Sequence, residues 1–417
     1  MEIKRDNYLR QLLTARRNGL VKIVTGPRRC GKSYLLTELF HHHLLLEGVD
    51  ERHIIEVSLD DRMNKALRDP DEMLAYIHSQ ILDEQLYYIV IDEVQLMSEF
   101  VDVLNSLLHI KNAEIYVTGS NSRFLASDIA TEFRGRDYQI RIHPLSFAEY
   151  YAATELDKEK AWKEYYTYGG MPQILSFQTD AEKMRYLHNL FQTAYLSDIL
   201  ERYRLKNGME LNTLLRIIAS SIGSPCNPSR IADTFKTVER LPVSSQTLSR
   251  YLDALSDAFL ISKAERYDVK GRKYIGTLSK YYFEDVGIRN AVIGFRQQEE
   301  SHLMENIIYN ELRIRGYQVD VGNVELRQRN EDGKTVRNRL EVDFIANQGN
   351  LRLYIQSALS IPDREKMAQE SRSLNAINDS FRKVIIVRDD IQPWYNEQGI
   401  LILGLMDFLL DENMIQS

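Results

Sequence analysis

At 417 residues, with 27% charged and 44% hydrophobic side chains and a formal net charge of −7, the chain is too long for one ordinary core and has the balance of a globular, multidomain protein. An acidic total excludes a coat of basic surface, so any nucleic-acid contact must come from a local patch. Two cysteines, Cys30 and Cys226, cannot build a disulfide framework or a four-ligand zinc site and are expected as reduced thiols, and no apolar run approaches the roughly 20 residues that span a bilayer.

The N-terminal text, MEIKRDNYLRQLL, mixes charges through its length and lacks the apolar stretch and small-residue cleavage site of a secretory signal, so a cytoplasmic protein with no membrane partner is expected. Residues 20–25 (LVKIVT) are a short β-branched run, followed by GPRRCGKS and then apolar-periodic Tyr34, Leu35, Leu36, Leu39 and Phe40. This order predicts strand, loop, helix. Gly26, Gly31, Lys32 and Ser33 fit the spacing G-x-x-x-x-G-K-[ST] of a phosphate-binding loop. Its glycines let backbone N–H groups close around phosphate oxygens, and the new helix directs its positive end at them. Gly26, Pro27, Arg28, Arg29, Cys30, Gly31, Lys32, Ser33 and Tyr34 are thus the candidate nucleotide-binding residues. Lys32 should reach the β and γ phosphates, and Ser33 should offer its hydroxyl to Mg²⁺, which takes few protein ligands. Cys30 reads as a small filler of this loop, or as a thiol whose oxidation would block the nucleotide. His41, His42 and His43 point in three directions from consecutive helical positions and cannot converge on one ion.

A phosphate-binding loop needs an acidic partner for its metal at the end of an apolar strand of the same parallel sheet. Residues 86–93 (LYYIVIDE) supply one: the run is apolar on both faces, and Asp92 and Glu93 fall at its C-terminal edge, where such sheets bind ligands. Asp92 is assigned to the Mg²⁺ shell and Glu93 to orienting or deprotonating the attacking water. A third strand over residues 114–118 (EIYVT) leads to Ser120 and Asn121, either sensors of the γ-phosphate or a turn and helix cap. Arg134 and Arg136, before a strand-like run at 138–142, stabilise transition-state charge within one subunit or across to a neighbour in a homo-oligomer, or are simply solvent-exposed.

From about residue 147 to 204 the text is aromatic-rich with a helical period and predicts a helical lid broken at Gly169 and Gly170. Residues 211–222, 229–235 and 244–255 read as three short helices, with strand-like pieces at 260–267 and 274–283. That is the order of a helix-turn-helix with a wing. In such a module Gln246, Thr247, Ser249 and Arg250 of the third helix would enter a DNA major groove, and Lys270, Arg272 and Lys273 at the wing tip would touch phosphates. Residues 236–280 carry nine basic side chains against five acidic ones, opposing the sign of the whole chain. The alternative is that the module packs against the lid or a partner protein.

The strings GPRRCGKS, IVIDEVQ, VTGSNSRFL, FRGRDY, PLSFAEY and YGGMPQIL, then SDILERYRL, TLSRYLDAL, KYYFEDVGIRN and EVDFIA, in this order, resemble the bacterial and archaeal AAA+ ATPases with a nuclease-like C-terminal domain of unknown function. The resemblance covers nearly the whole chain. It implies an α/β fold: a P-loop AAA+ parallel-sheet core (1–146), a helical lid (147–205), a winged-helix segment (206–285) and an α/β restriction-endonuclease-like C-terminal domain (286–417). It also implies ATP, rather than GTP, as the nucleotide, hydrolysed with Mg²⁺.

The nuclease-like template wants a helix Glu, a strand Asp, then acid-x-Lys on the next strand, so that carboxylates hold Mg²⁺ and the lysine steadies the scissile phosphate or water. A helix around residues 301–315 carries Glu305, and a strand over 340–346 carries Asp343, but the last motif reads Gln356-Ser357-Ala358. Ala358 has neither charge nor donor. Gln356 could coordinate through its side-chain carbonyl, and Lys366, one helix later, is the candidate substitute, but the expectation is a non-catalytic domain retained for packing or DNA docking, with Glu305 and Asp343 as structural polar residues. Three functions follow: an ATPase coupled to DNA binding or remodelling, a nucleotide-dependent switch acting on a protein partner, and, least favoured, an ATP-regulated nuclease.

Overall fold

The computed structural model describes residues 3–119, 133, 135–203, 208–237, 243–329 and 335–415. The chain divides into two compact units, one of residues 1–144 with 257–259, the other of residues 145–256 with 260–417.

In the first unit, strands β1 (Val21–Thr25), β2 (Ile54–Ser58), β3 (Tyr87–Asp92), β4 (Ala113–Gly119) and β5 (Asp137–Arg141) form an all-parallel sheet in the order β2-β3-β4-β1-β5. β1 and β3 are buried at every position, as central strands covered on both faces must be. Alternate residues feed two cores. Val21, Ile23, Ile89, Ile91, Ile115 and Val117 point to one face, covered by helices α4 (Pro70–Gln80) and α5 (Phe100–Leu107); Val24, Tyr88, Val90 and Tyr116 point to the other. The second face is covered by α1 (Asp6–Thr14) through Tyr8 and Leu12, and by the helix that follows the loop. That helix runs from α2 (Lys32–Tyr34) through a π-helical turn (Leu35–Phe40) into α3 (His41–Leu46). β2, a sheet edge alternating buried and half-buried, has no counterpart in the sequence reading.

The second unit begins with helices Phe147–Ala152, Lys158–Tyr168, Asp180–Asn189 and Ser197–Arg202, the segment expected as a lid. They pack within this unit: Trp162 Nε1 donates to Glu300 (2.7 Å), and Arg388 bridges Glu300 (2.6 Å) and Glu159. Helices Gly208–Ser220, Pro228–Thr237 and Ser245–Asp257 follow, then strands β6 (Ile261–Asp268) and β7 (Lys273–Phe283) pair antiparallel.

This hairpin is not a free wing. β6 also pairs parallel with β8 (Gln318–Arg329), placing the hairpin in an eight-stranded sheet with β9 (Thr335–Gln348), β10 (Leu351–Ala358), β11 (Arg382–Val387), β12 (Trp394–Tyr395) and β13 (Leu401–Gly404), ordered β12-β13-β11-β10-β9-β8-β6-β7. The boundary expected at residue 285 therefore does not separate two sheets. The reason is unsatisfied backbone: β6 has a second edge, and β8 covers it over Arg266–Asp268. Among the described residues no helix is long and apolar enough to cross a membrane.

Candidate functional site

β1 delivers the chain into the 26–33 loop at the C-terminal edge of the sheet, with β4 on one side and β5 on the other. Both neighbours arrive from far along the chain, so the loop sits at a topological switch point. Gly26 has φ +145° and lies so close to β5's exit that a Cβ there would meet the Ile142 carbonyl oxygen at 2.2 Å. Gly31 turns the chain into α2 with φ 97°. Lys32 is 5% exposed and its ammonium donates to the Gly26 and Pro27 carbonyls at 3.1 and 2.9 Å, curling over the loop that it would share with phosphate.

The Ser33 hydroxyl donates to Asp92 Oδ2 at 2.7 Å, and Thr118 donates to Asp92 Oδ1. Hence the loop and the acidic strand meet at one carboxylate. These hard oxygens are the donor set that Mg²⁺ prefers, so Ser33 and Asp92 fit the metal expected of them. Thr118 does a second job: its hydroxyl accepts the Glu93 backbone N–H at 2.8 Å, in a turn where Glu93 takes the left-handed conformation (φ 53°). Gln95 donates to the Glu93 carboxylate. The sequence reading missed Thr118 and Gln95. A polar residue closing an apolar strand beside β3 was the available signal, but only the sheet order makes Thr118 and Asp92 neighbours.

Ser120, Asn121 and Arg134 lie outside the described residues. Arg136 is exposed, with its guanidinium on Asn105 Oδ1 at 3.3 Å. A cavity of about 460 Å³ opens at the opposite, N-terminal edge of this sheet. On its lining the buried Lys22 pairs with Glu114, and the Arg17 backbone N–H donates to the same carboxylate (2.9 Å). His41 faces Glu56 (2.8 Å) and His43 faces Glu47 (3.1 Å).

In the second unit, Gln246 and Arg250 are exposed on helix Ser245–Asp257, while Leu248, Tyr251, Leu252 and Leu255 face inward. Thr247 is half-buried and shares a 2.9 Å hydrogen bond with Ser244 at the helix start; Ser249 donates to the Ser245 carbonyl. Lys270, Arg272 and Lys273 are exposed at the hairpin tip, and the Lys270 ammonium donates to the Glu325 carbonyl at 3.0 Å.

The carboxylates of the nuclease template do come together, but around a different lysine. Lys280 of β7, 3% exposed, bridges Glu305 (3.0 Å) and Glu341 (2.8 Å), and Tyr282 donates to Glu305 (2.7 Å). Burial alone would lower the Lys280 pKa, but the charges of Glu305, Asp343 and Glu341 raise it above the usual value. Burial and the Glu305 charge push Asp343 up to about 8, and its Oδ2 accepts the Ser357 N–H at 2.8 Å. Lys366, the expected substitute, instead pairs with Glu370 at 2.6 Å on its own helix, because an i,i+4 carboxylate lies within its reach. The Gln356 side-chain Oε1 accepts from the Ser373 hydroxyl at 3.4 Å. No group of three or more His, Cys, Asp or Glu side chains among the described residues is arranged to hold a metal ion.

Residues 18–151 match the AAA domain family, and residues 159–299 match a domain of unknown function, DUF8612. An uncharacterized protein of Haemophilus influenzae is 33% identical over 418 residues, covering 98% of both chains. An uncharacterized protein of Methanocaldococcus jannaschii is 26% identical over 373 residues, covering 86% of this chain and 79% of its own. Among solved structures, a Walker-type ATPase of Pyrococcus abyssi is similar with a TM-score of 0.48 and 16% identity, over 70% of this chain and 96% of its own.

Proposed function

The chain belongs to one family with the Haemophilus influenzae protein and carries an AAA domain over residues 18–151, and from this premise we propose that it binds ATP with Mg²⁺ at the 26–33 loop and hydrolyses it. The observation that carries the reading is the meeting of Ser33 with Asp92, with Glu93 next in the chain. Lys32 would leave the loop carbonyls for the phosphates, and Ser33 and Asp92 would hold Mg²⁺, which when bound neutralises charge on the phosphate oxygens. Glu93 takes the attacking water's proton or orients that water. The test is phosphate release from ATP and from GTP by wild type, Lys32→Ala and Glu93→Gln. Lys32→Ala is expected to lose nucleotide affinity, whereas Glu93→Gln should bind ATP and not turn it over. Normal turnover in either variant sinks the role given to that residue.

The same proposal extends to DNA as the partner whose binding is coupled to the nucleotide. Its support is local: three helices and a hairpin, with Gln246, Arg250, Arg272 and Lys273 exposed. Duplex DNA should speed ATP turnover, and its binding should weaken steeply with salt, less so in an Arg272→Ala, Lys273→Ala double variant. The rival is a nucleotide-dependent switch acting on a protein partner. It is favoured by Thr247 and Lys270, whose polar groups are already spent on Ser244 and Glu325. Turnover indifferent to duplex, single-stranded and branched DNA would select the rival.

A further inference from the structure

Arg5, just ahead of α1, is 4% exposed, and its ring neighbour is Tyr8, whose centroid lies 4.7 Å from the guanidinium carbon. The guanidinium donates through Nη1 to the Cys30 carbonyl at 3.3 Å and through Nη2 to the His143 carbonyl at 2.6 Å. Tyr8 accepts the His143 N–H at 3.2 Å. Two points of the 26–33 loop are thus referred to the exit of β5: Gly26 leans on Ile142, and Cys30 is tied through Arg5 to His143.

The Cys30 carbonyl and the Gly31 N–H are the two ends of one planar peptide. A cation hydrogen-bonded to the carbonyl draws electron density along that unit and makes its N–H a stronger donor, the effect being larger where the surroundings are dry. In a loop of this spacing that N–H belongs to the set that closes around phosphate oxygens. We propose that Arg5 is a positioning residue for phosphate binding, polarising the Cys30–Gly31 peptide and fixing where the Gly31 N–H points. The inference rests on the nucleotide reading above and adds to it a residue outside the loop. It also gives the N-terminal segment a task that no motif assigns.

The test compares MgATP and MgADP affinities of wild type, Arg5→Gln, Arg5→His and Leu12→Val. Leu12→Val trims the same helix's buried face without touching charge. Arg5→Gln is expected to weaken both nucleotides about three- to tenfold, the size of a partial loss of one polarised hydrogen bond. Leu12→Val should lower the melting temperature and leave both affinities within about twofold. Arg5→His carries the charge only when protonated, so its affinity relative to wild type should fall between about pH 6 and about pH 8; this decides the matter even if Arg5→Gln does not fold. Wild-type affinity in Arg5→Gln, equal weakening in Leu12→Val, or a pH-independent ratio for Arg5→His would overturn the inference while leaving the nucleotide reading intact. Failure of wild type to bind either nucleotide would overturn both.

Discussion

Ser33 and Asp92, 59 positions apart in the chain, share a 2.7 Å hydrogen bond from the serine hydroxyl to Oδ2. This bond brings together the two oxygens that would hold a Mg²⁺ ion. Ser33→Ala and Asp92→Asn should each abolish the gain in nucleotide affinity that Mg²⁺ brings, by about tenfold or more, while affinity in the presence of a chelator changes little. Titrations with and without Mg²⁺ make the comparison. An undiminished Mg²⁺ effect in Ser33→Ala would remove that hydroxyl from the metal shell.

Thr118 holds Asp92 with its hydrogen and Glu93's backbone with its oxygen. Thr118→Val keeps the shape and deletes both bonds. Leaving the Glu93 N–H without this acceptor costs about 1–3 kcal/mol of stability. Turnover should drop roughly ten- to a hundredfold as Glu93 loses its orientation, while the ATP dissociation constant moves by about threefold or less. Equal loss in kcat and affinity would mean that Thr118 serves binding rather than the hydrolytic step.

Asp343 keeps its proton in the folded protein up to about pH 8 against an ordinary value of 3.8, chiefly because burial penalises its charge. The native state therefore binds one more proton than the unfolded chain between these values, and stability falls as pH rises through that window. Asp343→Asn has no proton to lose and should show a flatter stability profile from about pH 4 to about pH 8 in denaturant melts. Lys280→Met strips Glu305 and Glu341 of their shared cation and should cost about 3–5 kcal/mol near neutral pH. A Lys280→Met protein as stable as wild type would show that the ammonium is not what balances these acids.

Gly287 and Gly169 meet at a crowded seam. A Cβ on Gly287 would stand 2.0 Å from the Tyr168 carbonyl oxygen, and one on Gly169, at φ +75°, would stand 2.3 Å from an Asp285 carboxylate oxygen. Asp285 accepts the Gly170 and Ile288 N–H groups at 2.7 and 2.9 Å, and burial pushes its pKa up to about 6. Gly169→Ala and Gly287→Ala should each destabilise by about 2 kcal/mol or more. Gly276→Ala, with nothing within 4 Å, is the matched control and should melt near wild type.

What the sequence made legible follows the reach of each signal. The loop was readable because Gly26, Gly31, Lys32 and Ser33 are fixed by spacing along eight residues, and Asp92 because an apolar strand ended on it. Thr118, Gln95 and Arg5 were not, because their roles come from which strand lies beside which and from a helix that folds back onto the loop. Lys280 was missed for a related reason. The template looked for a lysine two residues after Gln356, whereas the sheet brings one from β7, a strand read as part of another module. β2 escaped because five residues alternating buried and half-buried at an edge give too short a period.

The hairpin of β6 and β7 has a mechanical consequence. With β7 on one flank of β6 and β8 on the other, a pull on the tip at Lys270, Arg272 and Lys273 is carried as shear across backbone hydrogen bonds into strands as distant in sequence as β13. Lys280, further along β7, is pinned to Glu305 and Glu341 and stiffens that path at its base. The tip is held by the pairing on both flanks of β6 and cannot swing as a loose appendage without breaking the ladder that ties it down.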